Sequence, residues 1–243
     1  MRYIDTTNLM AKRAHWGNGI ELWKNPTLKI DFKNYFHGKC WYTEIFFAGF
    51  DVDIDHFRPK SEVAQYKDCY YNAPLEKCGY HWLKNDVHNY RACCIFANRP
   101  RGEGGKRTWF PLKKNSPLLT DGGTEIEEPM LLDPCVKSDV NLLSFMGNEI
   151  GCTSTDPNEQ ERVKISSVIY NFMDTDIKQK RIRVWHEVEI LLEELESGDI
   201  SEAACLRRLK EMVSCKAEFS ACAISAVNSL LPDHIKHQLD LEL

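Results

Sequence analysis

Residues 50–62 read FDVDIDHFRPKSE: aspartates alternate with apolar residues and run directly into a histidine. Two chemistries suit that order. The first is a calcium loop, with Asp51, Asp53 and Asp55 at alternate places and Glu62 at the twelfth. Such a loop needs glycine at its sixth place for a sharp turn, and this chain has His56 there, with Phe57 and Pro59 inside the loop. The flanks also disagree. Phe50, Val52 and Ile54 alternate with the aspartates at period two, which predicts a half-buried strand rather than the flanking helix a calcium loop requires. The second chemistry is metal-assisted hydrolysis. A carboxylate holds a hard divalent cation, and an imidazole that ordinarily titrates near neutrality takes a proton from water. Neighbouring strand residues face opposite ways, so the two side chains share a cleft only if the strand stops. Pro59 removes a ladder donor, and the expectation is that the strand ends near His56 and turns Asp55 and His56 into one site.

Downstream, HNYRACCIFANRPRGEGGK places Asn89 and Asn98 nine residues apart. DIDHFRPKS followed by DVHNYRACCIFANR resembles the HNH endonucleases in their His–Asn–Asn form. The resemblance implies a ββα-metal core, a hairpin whose first strand ends in the base, followed by a helix with the last ligand. Carried over by residue, it implies His56 as general base and Asn89 as the residue that braces the loop and orients it. Asp55 and Asn98 would ligate one Mg²⁺ or Mn²⁺. The wider series GYHWLKNDVHNYRACC, FPL (110–112), EPMLLDPCVKSDVNLLSF (128–145) and NEI (148–150) resembles the nuclease subunits of Septu anti-phage defence systems, PtuB-like and including retron-associated forms. That likeness spans roughly residues 37–190. It implies an effector that hydrolyses phosphodiesters, with DNA the expected substrate and RNA, tRNA included, left open. It also implies an ABC/SMC-like ATPase partner, PtuA-like. The alternative is an HNH-like scaffold that binds nucleic acid or a partner without cutting.

Many relatives carry two CxxC pairs around a structural zinc. Here the corresponding segments are CWYT, Cys40 to Thr43, and CIFA, Cys94 to Ala97. A closed zinc site takes four Cys or His ligands, so with two replaced no structural zinc is expected, and Trp41, Tyr42, Ile95 and Phe96 are expected to hold the hairpin by packing. The chain has ten cysteines and no CxxC pair, and most are read as small buried apolar residues.

The net charge of −5 argues against coating nucleic acid by bulk charge. Basic residues nevertheless gather around the motif. Arg58, Lys60, Arg99, Arg101, Lys106 and Arg107 are the expected phosphate contacts, which would position a backbone without reading sequence. Tyr90, Trp82 and Trp109 could stack on bases, although core packing is the simpler account of each. His81, His88 and His186 are read as surface or helix-face histidines.

The expected class is α+β: a ββα-metal core with flanking helices and a C-terminal helical region. Residues 1–36 read as a helical segment broken at GNG (17–19) and Pro26. Residues 37–134 have the aromatic, glycine- and proline-rich texture of hairpins and loops and form the expected nuclease core. Residues 135–243 are expected to be mainly helical and to dock the partner. Within them Asp156 and Ser201 read as N-caps, Pro157 as a first helical residue, and 174–196 as one long helix. No run of 18 apolar residues predicts a membrane span, and the opening residues lack the apolar stretch of a secretory signal, so a cytoplasmic location is expected.

Overall fold

The computed structural model describes residues 1–47, 49, 51–147, 149–239 and 241. It is a mixed α+β fold: small antiparallel sheets are surrounded by helices, and a continuous set of buried apolar residues runs from Met1 to Leu239. No described helix is long and apolar enough to cross a membrane.

The N-terminal segment forms α1 (Thr7–Met10), two short 3-10 turns and α2 (Pro26–Tyr35). Pro26 does not break a helix but starts one. Its missing N–H costs nothing at the first helical position, and the Asn25 side chain caps the turn by accepting from the Leu28 N–H at 3.0 Å. α2 buries Leu28 and Phe32, and Phe32 stacks on Trp41 with ring centroids 5.3 Å apart.

The central hairpin pairs β1 (Asp53–His56) with β2 (Tyr90–Cys93) in antiparallel register, Asp53 opposite Cys93 and His56 opposite Tyr90. The four-residue helical turn α3 (Ile95–Asn98) follows at once. The chain order is therefore strand, strand, helix. Val52 and Ile54 are buried on one side, as the period-two pattern predicts; Phe50, the third residue of that pattern, lies outside the described residues. A strand at Asp53–His56 is also incompatible with a calcium loop between helices.

The second half begins with α4 (Lys137–Val140) and a second hairpin, β3 (Leu143–Met146) with β4 (Glu149–Cys152). Helices α5 (Pro157–Ile169), α6 (Thr175–Ser197), α7 (Glu202–Val213), α8 (Ser220–Leu230) and α9 (Asp233–Lys236) follow. Their starts obey local chemistry: the side chains of Asp156, Asp174 and Ser201 each accept an N–H from the first turn of their helix. Gly198 ends α6 in the left-handed region at φ 81°, where a Cβ would be strained. Helix α8 packs on β3, α6 and α7 and carries buried Cys222, Ile224 and Val227.

The helical half is fastened to the hairpin half by buried polar groups. Glu44 meets the Met1 amino group at 2.9 Å, accepts from Ser220 Oγ at 2.8 Å, and lies 3.6 Å from Lys39. Lys39 in turn donates to the Ala217 carbonyl at 2.7 Å. The described residues from 156 to 239 thus contribute to the same core.

Candidate active site

Register decides what the hairpin presents. Residues directly opposite in an antiparallel pair share a face, so Asp53, Asp55, Arg91 and Cys93 lie on one side. Ile54, His56, Tyr90 and Ala92 lie on the other. The expected turning of Asp55 and His56 into one cleft is not met in this conformation, because regular pairing continues through His56 to Tyr90 and the strand ends one residue too late.

On its face, His56 is 5% exposed. Its ring sits edge-on to Tyr90 at 4.9 Å and to Trp23 at 5.1 Å. Nε2 lies 2.9 Å from the Lys84 carbonyl. A carbonyl only accepts, so Nε2 carries the proton and Nδ1 keeps the lone pair. Burial pushes the imidazole down to about 3, with the Lys84 carbonyl working the other way and Lys60 and Lys106 adding to the fall. The ring is neutral at neutral pH, as a base must be, but one held so low accepts a proton poorly.

Asn89 reaches the loop that follows. Its Oδ1 accepts the Arg58 N–H at 2.8 Å, its Nδ2 donates to the Arg58 carbonyl at 2.9 Å, and its own carbonyl takes the Phe57 N–H at 2.8 Å. These bonds fix the exit of the chain from His56.

On the opposite face Asp55 is also 5% exposed, and both of its oxygens are engaged. Oδ2 accepts from Tyr42 at 2.7 Å, and Oδ1 accepts from Lys106 Nζ at 3.1 Å. Lys106, expected among the surface phosphate contacts, is instead wholly buried and also donates to the His56 carbonyl at 2.7 Å. Burial raises the Asp55 carboxyl above its usual range, opposed by the Lys106 charge and the Tyr42 hydroxyl. Next to Asp55 in the sheet, buried Arg91 forms a two-pronged pair with Asp133, its Nε 2.7 Å from Oδ1.

Asn98, at the end of α3, is brought to Asp53 and not hydrogen-bonded to Asp55: its Nδ2 donates to Asp53 Oδ2 at 3.1 Å. Arg99 closes on the same carboxylate with Nε at 3.0 Å and an amino nitrogen at 2.9 Å. Asp53, weighed from sequence only as a calcium-loop position, lies two residues before Asp55 and so on the same face. Tyr42 and Lys106 were equally hidden as partners of Asp55, since nothing local signals contacts across 13 and 51 residues.

The remaining expected phosphate contacts are partly occupied. Arg58 pairs with Glu127 at 2.9 Å and lies over Phe110; Arg101 pairs with Asp174 and Asp176 and lies over Phe96. Lys60 lies over Trp23 and exposed Arg107 over Trp109. Among the aromatics, Tyr90 is fully buried with its hydroxyl on the Lys84 carbonyl, while Trp82 and Trp109 are half-buried against Tyr80 and Tyr66. Exposed His186 pairs with Glu189 on its own helix, and His81 and His88 are exposed.

The two cysteine segments do meet. The Thr43 N–H points to Cys40 Sγ at 3.5 Å, and Thr43 Oγ1 lies 3.6 Å from Cys94 Sγ, all buried. Burial disfavours a thiolate at Cys40, but hydrogen bonds from Cys94 and Thr43 outweigh it and bring the thiol down to about 6. Cys94, the donor to Cys40, is raised by that bond and by burial. Among the described residues, no group of three or more His, Cys, Asp and Glu side chains is placed to hold a metal ion.

No protein-family model matches the chain. It is similar to the Septu protein PtuB of Bacillus mycoides (strain KBAB4), 27% identical over 194 residues that make up 79% of this chain. The match covers 62% of that relative's length.

Proposed function

We propose that the chain is the nuclease subunit of a Septu-type defence complex and hydrolyses phosphodiester bonds in nucleic acid through an HNH site. The observation that carries the reading is the clasp of Asn89 on Arg58, joined to the strand, strand, helix order of β1, β2 and α3. A middle asparagine that ties down the loop after the histidine is what such a site requires, and the likeness to PtuB points the same way.

In this reading His56 Nδ1 takes the proton from a water that attacks phosphorus. The Lys84 carbonyl holds the tautomer that leaves Nδ1 free, and Asn89 fixes where the ring leaves the strand. The P–O3′ bond breaks as the water oxygen bonds to phosphorus; the 3′ oxygen takes a proton from solvent to become a 3′-hydroxyl, and the 5′ side keeps the phosphate. Exposed Arg107, with Arg99 and Lys60, would contact phosphates flanking the cut. The reading carries an expectation of Mg²⁺ or Mn²⁺ at Asp55 and Asn98. As placed, these residues do not fit a hard divalent ion, because both Asp55 oxygens are engaged and Asn98 turns its amide to Asp53. No step is therefore drawn through a metal.

A second reading, a scaffold without catalysis, draws on two other facts: His56 is buried, and Asp55 already has a counter-ion. Incubating DNA and RNA with the chain and its ATPase partner, with Mg²⁺ or Mn²⁺ and with or without EDTA, separates the two. Cleavage lost on His56→Ala supports the nuclease, and no cleavage under any of these conditions supports the scaffold.

A further inference from the structure

We infer that Trp23 is a movable cover over His56, carried on a strap between Gly17 and Asn25 that must lift before a phosphodiester can reach the imidazole. The inference rests on the nuclease reading and concerns how that site opens.

A base that activates water has to meet both the water and the phosphate, yet His56 is only 5% exposed. Two aromatic rings pack on it. Tyr90 is fixed: it lies directly opposite His56 in β2, is wholly buried, and has its hydroxyl tied to the Lys84 carbonyl at 2.6 Å. Trp23 is different. It is half-buried, stands edge-on to the imidazole with the rings at 76°, and comes from the 3-10 turn Leu22–Lys24, outside the sheet. Lys60 Nζ lies 4.7 Å from the centroid of the Trp23 ring, so cover and cation sit together beside the base.

The strap is lightly fastened. Asn85 clips it, with Oδ1 accepting the Leu22 N–H at 3.2 Å and Nδ2 donating to the Ile20 carbonyl at 3.1 Å. Between Gly17 and Lys24 only Leu22 is buried. Both ends suit a pivot. Gly17 takes φ 69°, and a Cβ at Gly17 or at Gly19 would meet no atom within 4 Å, so nothing packs on the backbone there. At the other end Asn25 caps α2 and holds the Trp16 carbonyl through Nδ2 at 3.0 Å, so it stays behind. A segment held by one leucine and two side-chain hydrogen bonds opens locally, without unfolding of the core. Lifting it uncovers the imidazole and takes the indole from Lys60, which leaves an ammonium beside the base for a phosphate oxygen. Asn85 adjoins Lys84, whose carbonyl holds the His56 tautomer, so the clip and the base share one short loop.

The test uses the full chain and needs no cleavage. Modification of His56 by diethyl pyrocarbonate, read by mass spectrometry, reports access to the imidazole, and hydrogen exchange at the Leu22 amide reports the strap. In wild type the Leu22 amide should exchange by local opening, at a rate that low urea leaves unchanged, while the β1 amides paired to β2 exchange only with global unfolding. Trp23→Ala, checked for folding by circular dichroism, should raise the His56 modification rate about tenfold or more as the imidazole becomes accessible. Asn85→Ala keeps the cover and removes its clip, and should raise that rate and Leu22 exchange about fivefold or more. If Trp23→Ala does not fold, Asn85→Ala and wild-type exchange decide. A His56 modification rate unchanged in either folded variant would overturn the inference and leave the nuclease reading standing. So would a Leu22 amide that exchanges only with global unfolding, the behaviour of a tryptophan that merely packs. Absence of cleavage bears on the nuclease reading alone, so the two failures are read separately.

Discussion

The Asn89 side chain satisfies both main-chain polar groups of Arg58, accepting at 2.8 Å and donating at 2.9 Å, and both side-chain atoms act on a residue 31 positions away. That contact ties the chain exit from β1 to the start of β2.

Asn89→Ala should therefore loosen the loop after His56. Two main-chain groups lose their partners, at about 1–3 kcal/mol for each one left buried and unsatisfied. Chemical denaturation should show the loss, and cleavage should fall further than stability alone explains. Asn89→Asp keeps the acceptor and loses the donor, so it should sit between wild type and Ala.

Removing Arg91 should be more damaging. Arg91→Met leaves Asp133 buried without its partner, which costs about 3–5 kcal/mol, and β2 should lose its anchor beside Asp55. Urea unfolding of the variant measures it. A change below ~1 kcal/mol would mean that the pair contributes little.

Acid should weaken the junction between the two halves. Glu44 is wholly buried, which would raise its carboxyl, but the Met1 amino group, Lys39 and Ser220 outweigh burial and hold it at about 2. Its folded value is below the ordinary value of 4.5, so its stabilising contribution is complete above pH 4.5 and is lost as pH falls toward 2. Glu44→Gln should be less stable than wild type at neutral pH. Its thermal midpoint should also fall less steeply than that of wild type over that acid window.

Much of this was legible locally. Asp156 before Pro157 and Ser201 announce their helices because capping is a contact between neighbours. The alternation of Val52 and Ile54 with aspartates announces β1 for the same reason. What escaped was non-local. Lys106 sits in a basic run read as phosphate contacts, and only the fold carries it under Asp55. Trp23 comes from the N-terminal segment to cover His56, and Asn98 finds Asp53 because α3 is a single turn. The β3–β4 hairpin was hidden in a stretch read as mainly helical. Partner docking by the helical region also needs a different test from deletion. Removing residues 156 onward would strip α8 from β3 and Ser220 from Glu44, so surface substitutions on α6 at exposed Ile190 are the cleaner probe.

The most direct measurement is cleavage of nucleic acid by the chain with the proposed ATPase partner, comparing wild type with His56→Ala in Mn²⁺ and in EDTA. The account predicts cleavage by wild type and a loss of about 10²-fold or more in a variant that remains folded. Cleavage by His56→Ala at a rate near that of wild type would contradict it.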